Sequence, residues 1–337
     1  MALTRRQFGS LTASFGLGAT GVLPARAQGT QIVLKYGTAF PADHPGAVRI
    51  KEAADAIKKE SGGKVDLQVY PNSQLGSEPD MVSQTRAGAM DLMSTAGTNL
   101  QTLVPVAGIN GVAFAFKDYA AVWAAMDGEL GGHVRAALAK VGLQAYDKVL
   151  DNGYRNITSA GKAIATPADL KGFKIRVPGI PMWLSMFKAL GAAPTSIPFG
   201  ELYTALQTKV VDGQENPLAL IQSAKLYEVQ KYCSLTAHTW DGHFIFGNAK
   251  KLRALPKEVQ DLLATHLQAA ALKQREDIAR LNRDAESTLA KAGVVFNRPD
   301  TAPFRELLRS AGFYTEWKGK FGDEAWAKLE KYAGRLA

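Results

Sequence analysis

Eight side chains have types and positions suited to holding a small polar molecule. Arg176 lies in Phe173-Lys174-Ile175-Arg176-Val177, where apolar and basic residues alternate. In a strand this puts Phe173, Ile175 and Val177 on one face and Lys174 and Arg176 on the other. A planar guanidinium grips a carboxylate through two parallel hydrogen bonds, which a lysine cannot do. Spacing alone nevertheless favours a solvated strand arginine. Arg155 follows Gly153 and reads equally as a salt-bridge partner. Asn216 ends Asp212-Gly213-Gln214-Glu215-Asn216, and its amide can donate to a carboxylate or a hydroxyl, or form a turn before Pro217. Glu78 opens a helix, where the dipole alone favours an acid, but it can also accept hydrogen bonds from hydroxyls. Trp240, Asp241 and His243 offer stacking, an acceptor and a polar contact, with a satisfied core histidine as the plainer reading of His243. Phe199, taken alone, reads as core. Asp43 and His44 sit in a strand-to-helix loop, and Trp183 begins a helix where packing explains it.

Other chemistries lack their residues. One cysteine, Cys233, excludes an intramolecular disulfide framework and a cysteine-cluster zinc site. The five histidines are scattered, with no HExxH, and no GxSxG or Walker pattern occurs in the chain. The formal net charge of +9 comes from dispersed basic residues in runs no longer than two, so no nucleic-acid stripe is visible. Such a balance still attracts small anions. Asn156-Ile157-Thr158 matches a glycosylation acceptor by its three residues alone.

The amino terminus reads as an address. Thr4-Arg5-Arg6-Gln7-Phe8 precedes a weakly apolar, glycine-rich run that closes on Pro24-Ala25-Arg26-Ala27. A charged start, an apolar middle and a small-x-small end make a secretory signal over residues 1–27, and the paired arginines give it the twin-arginine form. Gly16 to Gly21 matches GxGxxG, but no strand precedes it, so a nucleotide site is not read there. The mature chain from Gln28 is expected in the periplasm.

Periodicity supplies the elements that must position these groups. Strands are expected at Ile32–Tyr36, Val65–Val69 and Asp91–Thr95, with helices at Val48–Glu60 and Ser77–Ala87 between them. This is the βαβαβ order of a mostly parallel sheet with helices on its faces. The theme restarts with a strand at Phe173–Val177, a helix at Met182–Leu190, strands at Thr195–Ile197 and Val210–Val211, and a helix at Glu201–Thr208. Phe244–Phe246 reads as a returning strand. Lys257–Ala292 reads as one helix, far longer than the usual ~11–12 residues and able to span two lobes.

Longer motifs then become specific. Asn152-Gly153-Tyr154-Arg155-Asn156-Ile157-Thr158, Thr166 to Pro178 (TPADLKGFKIRVP), Pro198 to Thr208 (PFGELYTALQT), Val211 to Pro217 (VDGQENP), Tyr70 to Gly76 (YPNSQLG) and Tyr227 to Tyr232 with His238 follow in order. Nearly the whole mature chain resembles the periplasmic solute-binding subunits of tripartite ATP-independent periplasmic (TRAP) transporters, the DctP-like family. The resemblance implies a two-lobed α/β clamshell with crossovers and a long helix spanning both lobes. Its boundaries are expected at 28–153 plus 242–281 for lobe 1 and 154–241 plus 282–337 for lobe 2. It implies capture of a small organic carboxylate and delivery to membrane permease subunits, without catalysis, cofactor or metal, by a chain expected to be a monomer. Arg176 matches the arginine that grips the ligand carboxylate, Arg155 a second anion-facing arginine, Asn216 a binding amide and Phe199 an aromatic wall. Lys209 stands where many members have glycine. Thr38, Ala39, Ala96 and Asn99 add no charge for a large polyfunctional acid, so a hydroxy acid or short sugar acid is expected, with an aromatic 2-oxo or 2-hydroxy acid as the alternative ligand and an exported enzyme acting on such acids as the alternative role.

Overall fold

Residues 31–337 are described by the structure, a computed structural model; the expected leader lies outside the described residues. The chain runs β1 (Ile32–Thr38), α1 (Pro45–Glu60), β2 (Val65–Tyr70), α2 (Glu78–Ala87) and β3 (Leu92–Ala96). β1 pairs in parallel with both β2 and β3, as the βαβαβ order requires. α1 starts three residues before the expected boundary because the His44 ring accepts from the Gly46 N–H and Pro45 takes the first helical position. Ser77 is the N-cap of α2 rather than its first residue, and forms a reciprocal capping box with Asp80.

Two short 3₁₀ segments, 97–100 and 105–111, lead to α3 (Tyr119–Met126), α4 (Glu129–Lys140) and β4 (Leu143–Ala145). β5 (Leu150–Ser159), β6 (Lys174–Val177), α5 (Pro181–Ala189), β7 (Ala193–Ser196), α6 (Leu202–Gln207), β8 (Gly213–Asn216) and α7 (Leu218–Ser223) build the second half. The strand expected at Val210–Val211 lies later, at β8: Val210 is exposed, and the polar run Gly213–Asn216 is the buried strand between β5 and β6.

β9 (Tyr232–Asn248) contains the expected Phe244–Phe246 strand but runs for 17 residues. After it come α8 (Ala249–Ala254), α9 (Lys257–Lys291), β10 (Val295–Asn297), α10 (Ala302–Ser310), α11 (Phe313–Phe321) and α12 (Asp323–Ala333). One sheet path orders the strands β2-β1-β3-β9-β5-β8-β6-β7. Its ends are parallel, and its centre is the antiparallel β9–β5 pair that joins the two halves. α9 packs on α1 of the first half, on β5, and on α7 and β10 of the second. α12 packs on α3 and α4, while α10 and α11 reach α5. No described helix is long and apolar enough to cross a membrane.

The β5–β9 join is irregular where it matters. Its register shifts between Asp151 and Gly153 and again between Arg155 and Ile157. Such bulges re-aim side chains, here those of Asn152 and of His238 in the looped-out stretch of β9. Gly153 has φ +113°, and a Cβ there would meet Pro217 at 3.1 Å, so this turn of the strand requires glycine.

Candidate functional site

β6 delivers Arg176 as the alternation predicts. Ile175 and Val177 enter the core, Lys174 is exposed, and Arg176 is 1% exposed. Its Nε–H donates to the Ile197 carbonyl at 2.8 Å, while its enclosed Nη1 has no partner. It makes no ion pair with a carboxylate of the described residues; the buried acids Glu215 and Asp241 belong to Arg155. Burial pulls the Arg176 pKa down to about 10, Glu215 opposing and Arg155 adding to the fall. The Phe199 ring lies 6.0 Å from its Cζ. A buried cation held by one neutral carbonyl is an expensive arrangement unless an anion joins it.

Arg155, on β5, has the opposite surroundings. Glu215 of β8 takes it in a two-pronged pair, Nε to Oε2 at 2.5 Å and Nη2 to Oε1 at 2.8 Å. Nη2 also donates to the Glu215 carbonyl and to Asn216 Oδ1, and Nη1 reaches Asp241 Oδ2 at 3.3 Å. The Trp183 ring covers it, 4.6 Å from Cζ to centroid. The guanidinium is thus neutralised from within, which is the salt-bridge reading of Arg155, though it still lines the cleft. Glu215 was not foreseen as a site residue. Burial alone would raise its carboxyl pKa, but Arg155 and His238 hold it below the ordinary value. Asn216 is likewise engaged internally, accepting from Arg155 and donating to Gln214.

Strand alternation separates the β9 candidates. Asp241 and His243 line the cleft. Trp240 points to the other face, where its indole N–H donates to Asp151 Oδ1 at 3.0 Å and Phe116 and Trp123 meet it edge-on. It packs and takes no place at the cleft wall, which corrects the stacking role expected of it. Asp241 Oδ2 accepts from Asn152 and Arg155, but Oδ1 is buried without a partner. Burial drives its pKa up to about 7 against the pull of Arg155. Asn152, carried into place by the β5 bulge, donates to Asp241 and leaves its own Oδ1 unpaired; in the sequence only its place in the Asn152–Thr158 motif sets it apart. His243 stacks on Phe40 at 4.3 Å, and Phe40 stacks in turn on His44 at 4.2 Å. Burial holds His243 neutral, with Nδ1 unpartnered. His44 caps α1, and Asp43 is exposed beside it.

Glu78, half-buried at the start of α2, accepts from Thr95 Oγ1. Burial pushes its carboxyl up, with Thr95, Arg176 and Arg155 opposing. With Asn99, it is a polar contribution of the first half to a cleft with two chambers. An inner chamber of about 30 Å³ is walled by Asn152, Arg155, Arg176, Asn216, Asp241 and His243 among others. An outer one of about 740 Å³ opens past Val82, Leu103 and Ile197. Glu78, Asn99, Arg176, Pro178 and Phe199 belong to both. Among the described residues, no group of three or more His, Cys, Asp or Glu is arranged to hold a metal ion.

Comparison with known proteins agrees with this architecture. A profile of the bacterial extracellular solute-binding proteins, family 7 (DctP), matches residues 36–314. The 2,3-diketo-L-gulonate-binding periplasmic protein YiaO of Escherichia coli K12 is 34% identical over 279 residues, 82% of this chain and 84% of that one. The sialic acid-binding periplasmic protein SiaP of Vibrio cholerae is 30% identical over 280 residues, 83% and 86% of the two chains. The crystal structure of the sugar acid binding protein DctPAm of Advenella mimigardefordensis, in complex with galactonate, superposes with a TM-score of 0.87 at 28% identity, covering 91% of this chain and 99% of that one. A two-lobed α/β sheet protein with a cation-bearing cleft between its halves, the chain belongs to the DctP family of extracellular solute-binding proteins, the binding subunits of TRAP transporters.

Proposed function

We propose that this chain captures a small hydroxy acid or short sugar acid in the cleft, holds its carboxylate on Arg176, and delivers it to TRAP permease subunits in the membrane. The observation that carries the reading is Arg176: fully buried, bonded only to the Ile197 carbonyl, with Nη1 unpaired at the boundary of both chambers. A carboxylate supplies the missing charge and the acceptors for both guanidinium nitrogens. Relatives named for diketogulonate and galactonate bind acids of this chemical kind.

The mechanism follows from which half owns which group. Arg176, Phe199 and Asn216 lie on the second half of the sheet, Glu78 and Asn99 on the first. A ligand seated on Arg176 meets Glu78 only when the halves are together. It therefore favours the closed form by its differential affinity for that form. The closed surface is what the permease would read. Export by the twin-arginine route and action as a monomer complete the proposal. Trp240 lies in the core, and the aromatic side chains that line the inner chamber are Phe40, Trp183 and Phe199.

Calorimetric titration of the chain from Gln28 with a panel of small acids tests this. The expected result is saturable binding of one or more acids, recovery of the acid unchanged, and loss of binding in Arg176→Ala. Equal binding by the variant would refute the role of Arg176; conversion of the acid would refute simple capture.

A further inference from the structure

Four enclosed polar atoms without partners belong to residues of the inner chamber: Nη1 of Arg176, Oδ1 of Asp241, Oδ1 of Asn152 and Nδ1 of His243. Asp241 is 1% exposed and Asn152 2%. The first atom is a donor, the two oxygens are acceptors when Asp241 is ionised, and the imidazole nitrogen is one or the other according to its tautomer. Arg176 stands where the two chambers meet, whereas Asp241 and Asn152 line only the inner one. The inner space of about 30 Å³ takes about two atoms of the size of a water oxygen, since one water needs roughly 10–15 Å³. The outer space is more than an order of magnitude larger, and its wall includes Val82, Leu103 and Ile197.

We infer that the site selects 2-hydroxy monocarboxylates, with the carboxylate on Arg176, the single proton of the neighbouring hydroxyl directed inward at the Asp241–Asn152 pair, and the rest of the chain directed outward past Phe199. This rests on the reading of Arg176 given above and names the class of acid. A hydroxyl is small enough for the inner chamber and brings one proton to its two acceptor oxygens, held by one of them or shared between both. A 2-oxo group brings only acceptors and leaves them unpaired. A second carboxylate adds three heavy atoms and a negative charge beside Asp241, Glu215 and Glu78. An ammonium would satisfy the acceptors but would share the chamber with the guanidinium groups of Arg155 and Arg176. On the outward side, Glu78 and Asn99 stand on the shared wall and can take further hydroxyls.

Matched pairs of acids provide the test. Calorimetry on the chain from Gln28 at pH 8, above the value of about 7 to which burial raises Asp241, compares 2-hydroxyisocaproate (both enantiomers) with 2-oxoisocaproate and leucine. It compares galactonate with galacturonate, whose carboxylate-bearing carbon in the pyranose form carries a ring ether oxygen, and with succinate. Each hydroxy acid should bind about 30-fold or more tightly than its partner, as expected when a buried acceptor pair is left unsatisfied. In Asp241→Asn, which can turn an N–H toward the ligand, the hydroxy-to-oxo ratio should fall to within about 3-fold, and Asn152→Ala should lower it in the same direction. Melting curves of both variants confirm that they are folded. Equal affinity for the oxo acid, leucine, galacturonate or succinate overturns the inference, as does an unchanged ratio in both variants. If every acid binds alike but Arg176→Ala abolishes binding, the carboxylate site stands and only the selectivity falls. If none binds, both fall together.

Discussion

Two arginines of the same strand system have opposite fates, and their neighbours decide which. Arg155 is bonded by Glu215, Asn216 and Asp241, whereas Arg176 has one carbonyl and an unpaired Nη1. Removing one member of a buried pair leaves an uncompensated charge and costs about 3–5 kcal/mol. Arg155→Met should therefore lower the melting temperature sharply, or prevent folding. Glu215→Gln should do the same. A second residue-scale prediction concerns pH. Burial raises Asp151 and Asp241 to about 7, so between about pH 4 and 7 the folded chain holds protons that the unfolded chain has lost. Their contribution to stability is present at acid pH and disappears as pH rises through 7. His44, His238 and His243 are shifted down, burial being the largest cause, and they oppose folding only below about 6.5. The melting temperature should fall from about pH 6.5 to 8, and Asp241→Asn should flatten that fall; a slope identical to that of the native chain would contradict the assignment. At this scale the sequence revealed residue types and faces. It showed that Arg176 shares a face with Lys174, but not that Lys174 would be exposed and Arg176 sealed. It could not show which arginine the acids would reach, because that choice is made across β5, β8 and β9, some 60 to 86 residues apart in the chain.

Individual elements explain which parts of the fold were legible. α1, α2 and α9 carry an apolar face at helical spacing, and the expected spans agree with the structure to within a few residues. β8 does not read as a strand because Gln214, Glu215 and Asn216 are polar, yet each is buried and satisfied by Thr158, Arg155 or His238. α3 is apolar almost throughout and shows no helical contrast. α10 carries Phe304, Leu307 and Leu308 at helical spacing, so its signal was present and unused. Lys209, noted as standing where relatives have glycine, ends α6 with φ +58° and is exposed. That backbone costs a non-glycine residue about 1–2 kcal/mol. Lys209→Gly should recover a large part of this, after the extra unfolded-chain entropy of glycine, and raise the melting temperature without altering ligand affinity. The long helix is fastened to the join between halves by Gln274, whose amide donates to the Asp151 carbonyl at 2.7 Å and accepts from its N–H at 2.8 Å. Gln274→Leu strands both backbone groups and should cost about 2–4 kcal/mol, seen as a fall in the denaturation midpoint.

For the molecule as a whole, the β5–β9 pair is both the bridge between halves and the floor of the cleft. The same strands bring Arg155, Asn152, Asp241 and His243 to one place, so these cleft-lining groups sit on the segment that joins the two halves. The two-lobed class was legible from the repeated βα order and from the family motifs together; neither half by itself specifies that β9 crosses the whole sheet. The account rests on Arg176 as the cation that a ligand carboxylate completes, and thermal melting of the chain from Gln28 tests it most directly. Native protein and Arg176→Met are melted alone and with galactonate and 2-hydroxyisocaproate. An acid at 100 times its dissociation constant stabilises by about 2.7 kcal/mol, a rise on the order of 5 °C for a chain of this size. The native chain should show that rise. Arg176→Met, relieved of an unpaired buried charge, should melt at the same temperature as the native chain or higher without ligand, and should not respond to the acids. A variant that responds as the native chain does, or one that loses stability as a broken ion pair would, contradicts the account.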